Sequence, residues 1–250
     1  MDTGLKDKVV VVTGATRNHG RASALAFAKE GANLFLCTRQ SMEQLEETAQ
    51  MASKEGVKVV TAQCDVSDES QVNAFVQKGL AEFGRIDVVV NNAVWRVRAN
   101  LMDMTSELWD AAIAVNVHAP FLMCKAVIPS MMQNRWGRII NYSGIAPFHG
   151  VAGQGTLKMA VEGFTRAVAK EYGKYNITVN CIGPGSIDVT RTAGQEGGTE
   201  GGDQSRMQHI PIPRQGTVDE CSAAVVFLCS EAASYITGQA YLVNGGAHFL

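Results

Sequence analysis

The fold is decided near the start of the chain by residues 9–31, which read VVVVTGATRNHGRASALAFAKEG. The run Val9–Val12 is β-branched throughout, a pattern typical of a strand buried on both faces inside a parallel sheet. The run breaks at Gly14, and from Gly20 onward apolar residues recur at helical spacing until Gly31. A strand, a glycine turn and a helix in this order predict a βα unit that binds a dinucleotide. The first amides of such a helix have no internal partner, so a pyrophosphate can bind there.

The composition limits the class of protein. With 250 residues, of which 46% are hydrophobic and 18% are charged, the chain can bury one large core, as a single α/β domain does. The net charge of -2 argues against nucleic-acid binding and against attraction to an acidic membrane surface. The six cysteines include no Cys-x-x-Cys pair, and their apolar settings are typical of reduced packing thiols.

Two further features favour a cytoplasmic location. The segment Lys6-Asp7-Lys8 directly precedes the first strand and leaves no room for a signal peptide. No apolar run approaches the roughly 20 residues that span a bilayer. We therefore expect a soluble cytoplasmic protein with no membrane partner and no metal site.

Strands and helices alternate along the whole chain. After the first βα unit, strands are predicted at residues 32–39, 57–66, 86–93, 137–144, 176–185 and 235–246. Helices are predicted at residues 41–55, 106–134 and 218–229, between 65 and 84, and from about 156. This alternation predicts one domain over residues 1–250, a doubly wound parallel sheet of Rossmann type with its site at the carboxyl ends of the strands. Residues 190–214 are rich in glycine and predict a flexible lid over the substrate.

The glycine turn carries a family resemblance. Residues 13–20, TGATRNHG, resemble the Thr-Gly-x-x-x-Gly-x-Gly turn of the short-chain dehydrogenase/reductase family, and similarity extends over nearly the whole chain. Asn18 replaces the middle glycine and His19 an aliphatic residue, and asparagine tolerates a left-handed backbone. The resemblance implies a homo-oligomer, a tetramer or dimer, formed through the helices at 106–134 and near 156. It also implies these cofactor-binding residues: Thr13, Gly14, Arg17, Asn18, His19, Gly20, Asp65, Val66, Asn92, Ala93, Lys158, Pro184, Gly185 and Ile187.

Two basic residues predict which dinucleotide is bound. The second strand ends at Arg39, where an acidic residue would bind the adenosine ribose. An arginine there suits a 2′-phosphate, and Arg17 is a second cation on the same side. In the family this pair goes with NADP(H). The alternative is that both arginines are solvated surface residues. Asp65, next to Val66, could also cap the following helix together with Ser67.

The active-site motifs depart from the family pattern. Lys158 lies in the family's Tyr-x-x-x-Lys frame, and counting back four residues gives Gln154 instead of tyrosine. The family's second serine, which polarises the carbonyl, corresponds to Gly144, while Ser143 matches its neighbour. A glutamine amide cannot supply a proton in general acid catalysis at neutral pH. Asn116, within Val-Asn-Val, is implied to open its helix locally and to bind a relay water.

Several groups could substitute for the missing hydroxyls. Ser143 is one residue away from the required position, and His149 lies in a loop that crosses toward the site and has a suitable ordinary pKa. Tyr142 is a weaker candidate, because consecutive side chains of a strand point to opposite faces. Structural roles are equally open for Tyr142 and His149.

The loop after the fourth strand departs from the family as well. Val94 replaces the last glycine of Asn-Asn-Ala-Gly, which narrows the cofactor path or changes the local backbone. Trp95, Arg96 and Arg98 follow, and could line a substrate mouth that favours aromatic or anionic compounds, or simply cover a surface loop.

Three functions remain open from the sequence. The first is an NADP(H)-dependent oxidoreductase acting on a carbonyl or alcohol of a small substrate, with aromatic compounds as one option. In it Lys158 holds the ribose, Asn116 the relay water, Gln154 orients substrate, and Ser143 or His149 supplies polarisation or a proton. The second is a non-redox or redox-neutral enzyme, namely a lyase, a hydrolase, a dehydratase or an enzyme of a demethylation-like reaction, that uses the same cofactor pocket. The third is an NADP(H)-binding sensor without turnover.

Overall fold

The computed structural model describes residues 2–97, 99–144, 152–189 and 207–249. Its centre is a seven-stranded parallel sheet in the order β3-β2-β1-β4-β5-β6-β7. Pairing is in register, for example Val9 with Asn33 and Val10 with Val88. The strands are β1 Val9–Thr13, β2 Asn33–Thr38, β3 Val59–Gln63, β4 Val88–Asn91, β5 Gly137–Tyr142, β6 Ile177–Pro184 and β7 Ala240–Val243. The predicted doubly wound Rossmann fold is therefore confirmed.

Helices cover both faces of this sheet. They are α1 Asn18–Lys29, α2 Met42–Ser53, α3 Glu69–Phe83, α4 Ser106–Ile113, α5 Ala119–Asn134, α6 Ala152–Tyr172 and α7 Val218–Cys229, with short 3₁₀ turns at Leu101–Asp103, Gly173–Tyr175 and Glu231–Ala233. One apolar core forms under α1, α2 and α7 around Phe27 and Leu45. The other forms under α3, α5 and α6 around Phe75 and Met123. Because the strand order reverses between β1 and β4, a crevice opens at their carboxyl ends, where such folds bind ligands.

Most element bounds agree with the prediction to within a few residues, and α7 agrees fully. Three bounds and one helix cap differ from the prediction. The first helix already begins at Asn18, inside the glycine turn. The sixth helix begins at Ala152, earlier than the predicted start near residue 156. The expected cap of α3 is wrong: Asp68, not Asp65 or Ser67, accepts the amide of Gln71. The last strand covers only Ala240–Val243.

One helical region of the described residues could cross a membrane by its length and composition, although its packing accounts for its apolar character. The continuous helical region Ser106–Asn134 is long and apolar enough by length and composition, with a mean hydropathy of 1.6 in its most apolar window. Half of that window is buried inside the protein. Leu122, Met123, Val127 and Met131 pack into the core beside the sheet. The apolar composition is therefore accounted for by a core helix.

The described part of the predicted lid, residues 207–214, packs against the end of the chain. Ile212 donates its amide to the carbonyl of Gly245 at 3.0 Å. The rest of that prediction, residues 190–206, lies outside the described residues. All six cysteines are buried and free, as predicted for packing thiols.

Candidate active site

The glycine turn between β1 and α1 has the shape that a phosphate cradle needs. Gly14 and Asn18 both adopt left-handed backbone, with φ of 65° and 48°, so asparagine does replace the usual middle glycine. A Cβ on Gly20 would collide with the carbonyl of Gly14 and lie 2.6 Å from Asn92 Nδ2. The first backbone bond of α1 runs from Arg21 to Arg17, so the preceding amides can face an anion.

Thr13 and Asn92, two residues predicted to bind cofactor, hold this turn in place. Asn92 donates its Nδ2 to the carbonyls of Thr13 and Gly14 at 2.9 and 3.0 Å. The Thr13 hydroxyl accepts the amides of Asn92 and Ala93, each at 3.0 Å. The turn is anchored on its other side by Gly14 and Ala15, which donate to Cys37 O. The ends of β1, β2 and β4 are thereby joined around the cradle.

The residues expected at the adenosine end lie together. Arg39 Nη1 is 3.9 Å from Asp65 Oδ2, and the Arg39 side chain is 60% exposed. The other Asp65 oxygen accepts the amide and hydroxyl of Ser67 at 3.0 and 2.6 Å. Val66 beside it is buried in the core. Arg39 is therefore positioned to reach a group bound over the ends of β2 and β3. Arg17 adopts extended backbone just ahead of α1.

The residues expected beside the nicotinamide follow β6. Pro184 ends that strand, and Gly185 donates its amide to Val243 at 2.9 Å. A Cβ on Gly185 would lie 2.6 Å from Asn244, so only glycine permits this approach. Ile187 is buried and pairs with Gly216. This segment lines the same edge of the sheet as the glycine turn.

Lys158 is the buried cation of the site. Its side chain extends from α6 toward the end of β5, where Nζ donates to the carbonyl of Tyr142 at 3.0 Å. Burial lowers the lysine pKa from 10.5 to about 8, the nearby Cys181 partly opposes that shift, and the charge of Arg96 adds to it. An ammonium has three donors, so this bond leaves capacity for a ligand.

Asn116 and Gln154 meet at one backbone carbonyl. Asn116 lies in a π-helical turn, Ala114–His118, which interrupts the helical region where local opening was predicted. Its Nδ2 donates to Trp95 O at 2.8 Å and to Ala112 O at 2.9 Å. Gln154, one helical turn before Lys158, donates its Nε2 to the same Trp95 carbonyl at 3.5 Å. The loop after β4, the π-helical turn and α6 are therefore joined at the Trp95 carbonyl.

Ser143 lies directly after β5 and is 5% exposed. Its amide donates to Ile182, while its hydroxyl is buried without a hydrogen-bond partner among the described residues. A buried unpaired hydroxyl is costly, and a bound ligand would relieve that cost. Strand alternation places Ser143 and Tyr142 on opposite faces of the sheet.

Tyr142 is not a substitute for the missing hydroxyl. It packs in the core under α1 and α7, with its hydroxyl 3.4 Å from that of Ser23. Burial raises the pKa of this phenol well above its ordinary value. His149, the other candidate, lies outside the described residues.

His19 and Arg96 shape the electrostatics of the crevice. The ring of His19 packs against Tyr142 at 5.4 Å between ring centroids. Burial lowers the pKa of His19 to about 4, and the charge of Arg96 contributes. His19 is therefore neutral at pH 7.

Within the described residues, no cluster of three or more His, Cys, Asp or Glu side chains could hold a metal ion.

The fold, the glycine turn and the residues gathered at the strand ends define a dinucleotide-binding α/β protein. Residues 14–248 match the family model described as enoyl-(acyl carrier protein) reductase. The chain is 39% identical to the 3-oxoacyl-[acyl-carrier-protein] reductase FabG of Chlamydia muridarum, covering 98% of this chain and 99% of that protein. It is 35% identical to dehydrogenase/reductase SDR family member 4 of Oryctolagus cuniculus, covering 97% and 94%.

A solved structure agrees with these sequence matches. The crystal structure of levodione reductase superposes with a TM-score of 0.90 at 31% identity, covering 97% of this chain and 98% of that one. The chain belongs to the short-chain dehydrogenase/reductase family. It is an oxidoreductase of that type, and the family's cofactor is NAD(P)H.

Sequence reasoning missed three features of the site. They are the hydrogen bonds by which Asn92 supports the glycine turn, the Trp95 carbonyl that two side chains share, and the effect of the Arg96 charge on the pKa of Lys158. All three arise between segments that are distant in the sequence. The only signal for Arg96 was its place just after the fourth strand. The shift of Lys158 could not be read from its motif, because it depends on burial.

Proposed function

We propose that the chain is an NADP(H)-dependent oxidoreductase that acts on a carbonyl or alcohol of a small substrate through an atypical proton-transfer site. The observation that carries this proposal is the buried Lys158 at the end of β5, one helical turn after Gln154, opposite an intact glycine turn. Arg17 and the exposed Arg39 support the choice of NADP(H), because a guanidinium pairs well with a 2′-phosphate. Free buried thiols support a cytoplasmic location.

Each site residue has a proposed role that follows from its hydrogen-bonding groups. Lys158 binds the nicotinamide ribose through the donors that Tyr142 leaves available. Among the described residues, neither the Ser143 hydroxyl nor Asn116 Oδ1 has a hydrogen-bond partner. Ser143 donates its hydroxyl to the substrate oxygen, Gln154 orients the substrate, and Asn116 Oδ1 holds a relay water. A bound nicotinamide supplies or accepts the hydride. The family resemblance further supports a homodimer or homotetramer, and residues 190–214 form the proposed lid.

The proposal is tested by replacing Gln154. Gln154→Tyr adds a phenol one turn from Lys158, and Gln154→Phe is the matched control with the same ring and no hydroxyl. We expect Gln154→Tyr to consume NADPH with a carbonyl panel about 10²-fold faster than the control, the low end of what a positioned acid contributes. Calorimetry establishes first that NADPH binds both variants. If NADPH binds, yet neither the natural protein nor Gln154→Tyr consumes it with any carbonyl, the redox proposal is wrong.

One observation favours a second candidate. Because the amide of Gln154 cannot donate a proton as an acid at neutral pH, a redox-neutral reaction in the same pocket would not require the missing phenol. Product formation with unchanged NADPH absorbance supports such a lyase, hydrolase or dehydratase. A partner interaction that responds to NADPH, with no turnover, supports the sensor.

A further inference from the structure

A row of polar side chains crosses the sheet just below its carboxyl edge. Asn91 of β4, Asn141 of β5 and Cys181 of β6 are paired in register, and all three are buried on the face that α5 and α6 cover. Two positions earlier, the same strands contribute only apolar core residues to this face: Val89, Ile139 and Val179. Buried polar groups are costly unless they are hydrogen-bonded, so this row needs partners within the protein.

Hydrogen bonds link the row to α6 through Thr165. Asn91 donates its Nδ2 to Asn141 Oδ1 at 2.8 Å, and Asn141 donates its own Nδ2 to Thr165 Oγ1 at 2.8 Å. The same threonine oxygen lies 3.1 Å from Cys181 Sγ. Because Asn141 Oδ1 already accepts from Asn91, the donor end of its amide faces α6. Thr165 is the acceptor that this donor needs.

The hydroxyl of Thr165 is used differently from that of the other threonine in α6. Helix propensity does not favour threonine in the middle of a helix, and a helical threonine hydroxyl commonly bonds the carbonyl four residues earlier. The exposed Thr156 does so, with its hydroxyl 2.7 Å from Ala152 O. Thr165 is 1% exposed and directs its hydroxyl to the sheet. Bonding to the polar row therefore accounts for threonine at this position.

Thr165 and Lys158 together fix α6 on the sheet. They are two helical turns apart, so both side chains leave the same side of the helix. Lys158 bonds the carbonyl of Tyr142, and Thr165 bonds the side chain of Asn141, the preceding residue of β5. In the part of the chain that the structure describes, only these two side chains of α6 form hydrogen bonds with strands. The apolar contacts are non-directional, so they oppose sliding of the helix less than the two bonds do.

We propose that Thr165 is a positioning residue, which holds α6 in the register that brings the Lys158 ammonium to the end of β5. Without the threonine hydroxyl, the long and flexible lysine side chain would have to hold the helix alone. The consequence for cofactor binding rests on the proposed function, in which Lys158 binds the nicotinamide ribose. The docking of the helix can be measured without a cofactor.

The experiment measures how accessible Lys158 is in the cofactor-free protein. Trace acylation with an N-hydroxysuccinimide ester, followed by mass spectrometry, gives the labelling of Lys158 relative to Lys170, an exposed lysine of the same helix. Thr165→Val removes the hydroxyl at nearly constant volume, and Thr165→Ser retains it.

Two control variants separate the hydrogen bond from other effects of substitution. Thr178→Val makes the same exchange at a buried threonine of β6, whose hydroxyl has no partner among the described residues. Gly79→Ala, in α3, is expected to lower stability, because its new Cβ would lie 2.7 Å from the Phe35 ring. It shows what general destabilisation does to the labelling of Lys158.

We expect Thr165→Val to raise the labelling of Lys158 about 10-fold, since it leaves a buried donor without an acceptor and so favours local opening of α6. Thr165→Ser and both controls should match the natural protein. Unchanged labelling in Thr165→Val, or an equal rise in Gly79→Ala, would overturn the inference.

Calorimetry with NADPH tests the consequence for the site. Thr165→Val should weaken NADPH binding roughly 3- to 10-fold, and Lys158→Met should weaken it further. The double variant should bind as Lys158→Met does, because both residues act through one contact. Independent losses that multiply in the double variant would overturn the positioning role. If labelling rises as expected but Lys158→Met binds NADPH normally, the proposed ribose contact is wrong and the docking role of Thr165 stands.

Discussion

Replacing Lys158 with methionine should leave the protein at least as stable at neutral pH and make its free energy of unfolding less dependent on pH. The lysine is 7% exposed, and burial is the main reason that its pKa falls from 10.5 to about 8. Between these two values the unfolded chain keeps the proton that the folded protein has released. Because the unfolded state then binds more protons, the free energy of unfolding rises with pH across this window.

The magnitude follows from the two pKa values. At 1.36 kcal/mol for each pH unit between them, the wild-type protein should gain about 3 kcal/mol of stability from pH 7 to pH 10.5 through this group. Methionine does not titrate, so that gain disappears in Lys158→Met. At pH 7 the variant avoids burying a charge, but it loses the bond to the Tyr142 carbonyl, worth about 1–3 kcal/mol when the carbonyl is left unpaired. We therefore expect the free energy of unfolding of Lys158→Met at pH 7 to equal that of the natural protein or to exceed it by up to about 2 kcal/mol.

The assay is urea unfolding at several pH values from 7 to 10.5, with the difference between variant and natural protein as the quantity of interest. That difference removes contributions shared by both proteins, such as those of the buried thiols of Cys124 and Cys221, whose pKa values burial raises to about 12. Lys54→Met, at an exposed site, is the control and should give a difference that does not change with pH. If Lys158→Met also gives a constant difference from pH 7 to 10.5, the lysine charge is not buried at the cost argued above.

Two further predictions test packing and cofactor choice. Gly79→Ala should lower the free energy of unfolding by about 1–3 kcal/mol, because the new Cβ would lie 2.7 Å from the Phe35 ring, which is itself stacked on Phe75. Gly163→Ala, at a helical glycine with open space around it, should instead raise it by about 0.5–1 kcal/mol, and opposite signs in thermal unfolding are the check. Arg39→Asp should reduce the ratio of NADPH to NADH affinity at least 10-fold, since a carboxylate repels the 2′-phosphate, and an unchanged ratio would show that Arg39 is only a surface residue.

The parts of the fold that follow from local patterns were predictable. Four consecutive valines, a glycine break and a helical repeat lie within residues 9–31, and they specify β1, the turn and α1 without any distant contact. The bounds of α7 were correct for the same reason. Its capping box joins Thr217 and Glu220, which are only three residues apart.

The errors arose where neighbouring residues compete or where distant segments decide. Asp65 and Asp68 are both suitable helix caps, and the path of the backbone selects Asp68. The apolar stretch Ser106–Asn134 has the composition of a membrane span, and only its packing in the core distinguishes the two cases.

The candidate site shows the same division. Asn116, Ser143, Gln154 and Lys158 were identified from motifs, and the structure brings all four to the carboxyl edge of the sheet. Their working properties depend on the tertiary structure. Within the described residues, burial leaves the hydroxyl of Ser143 without a hydrogen-bond partner. Burial, together with the charge of Arg96, also lowers the pKa of Lys158.

The free thiols have a practical consequence for following the protein's motions. The buried sulfurs are spread over several elements, for example Cys37 in β2, Cys124 in α5, Cys181 in β6 and Cys229 at the end of α7. A thiol-alkylating reagent can reach such a sulfur only after the element around it has opened. Mass spectrometry of pulse-labelled peptides would then time the opening of several elements separately, with no engineered probe added to the natural chain.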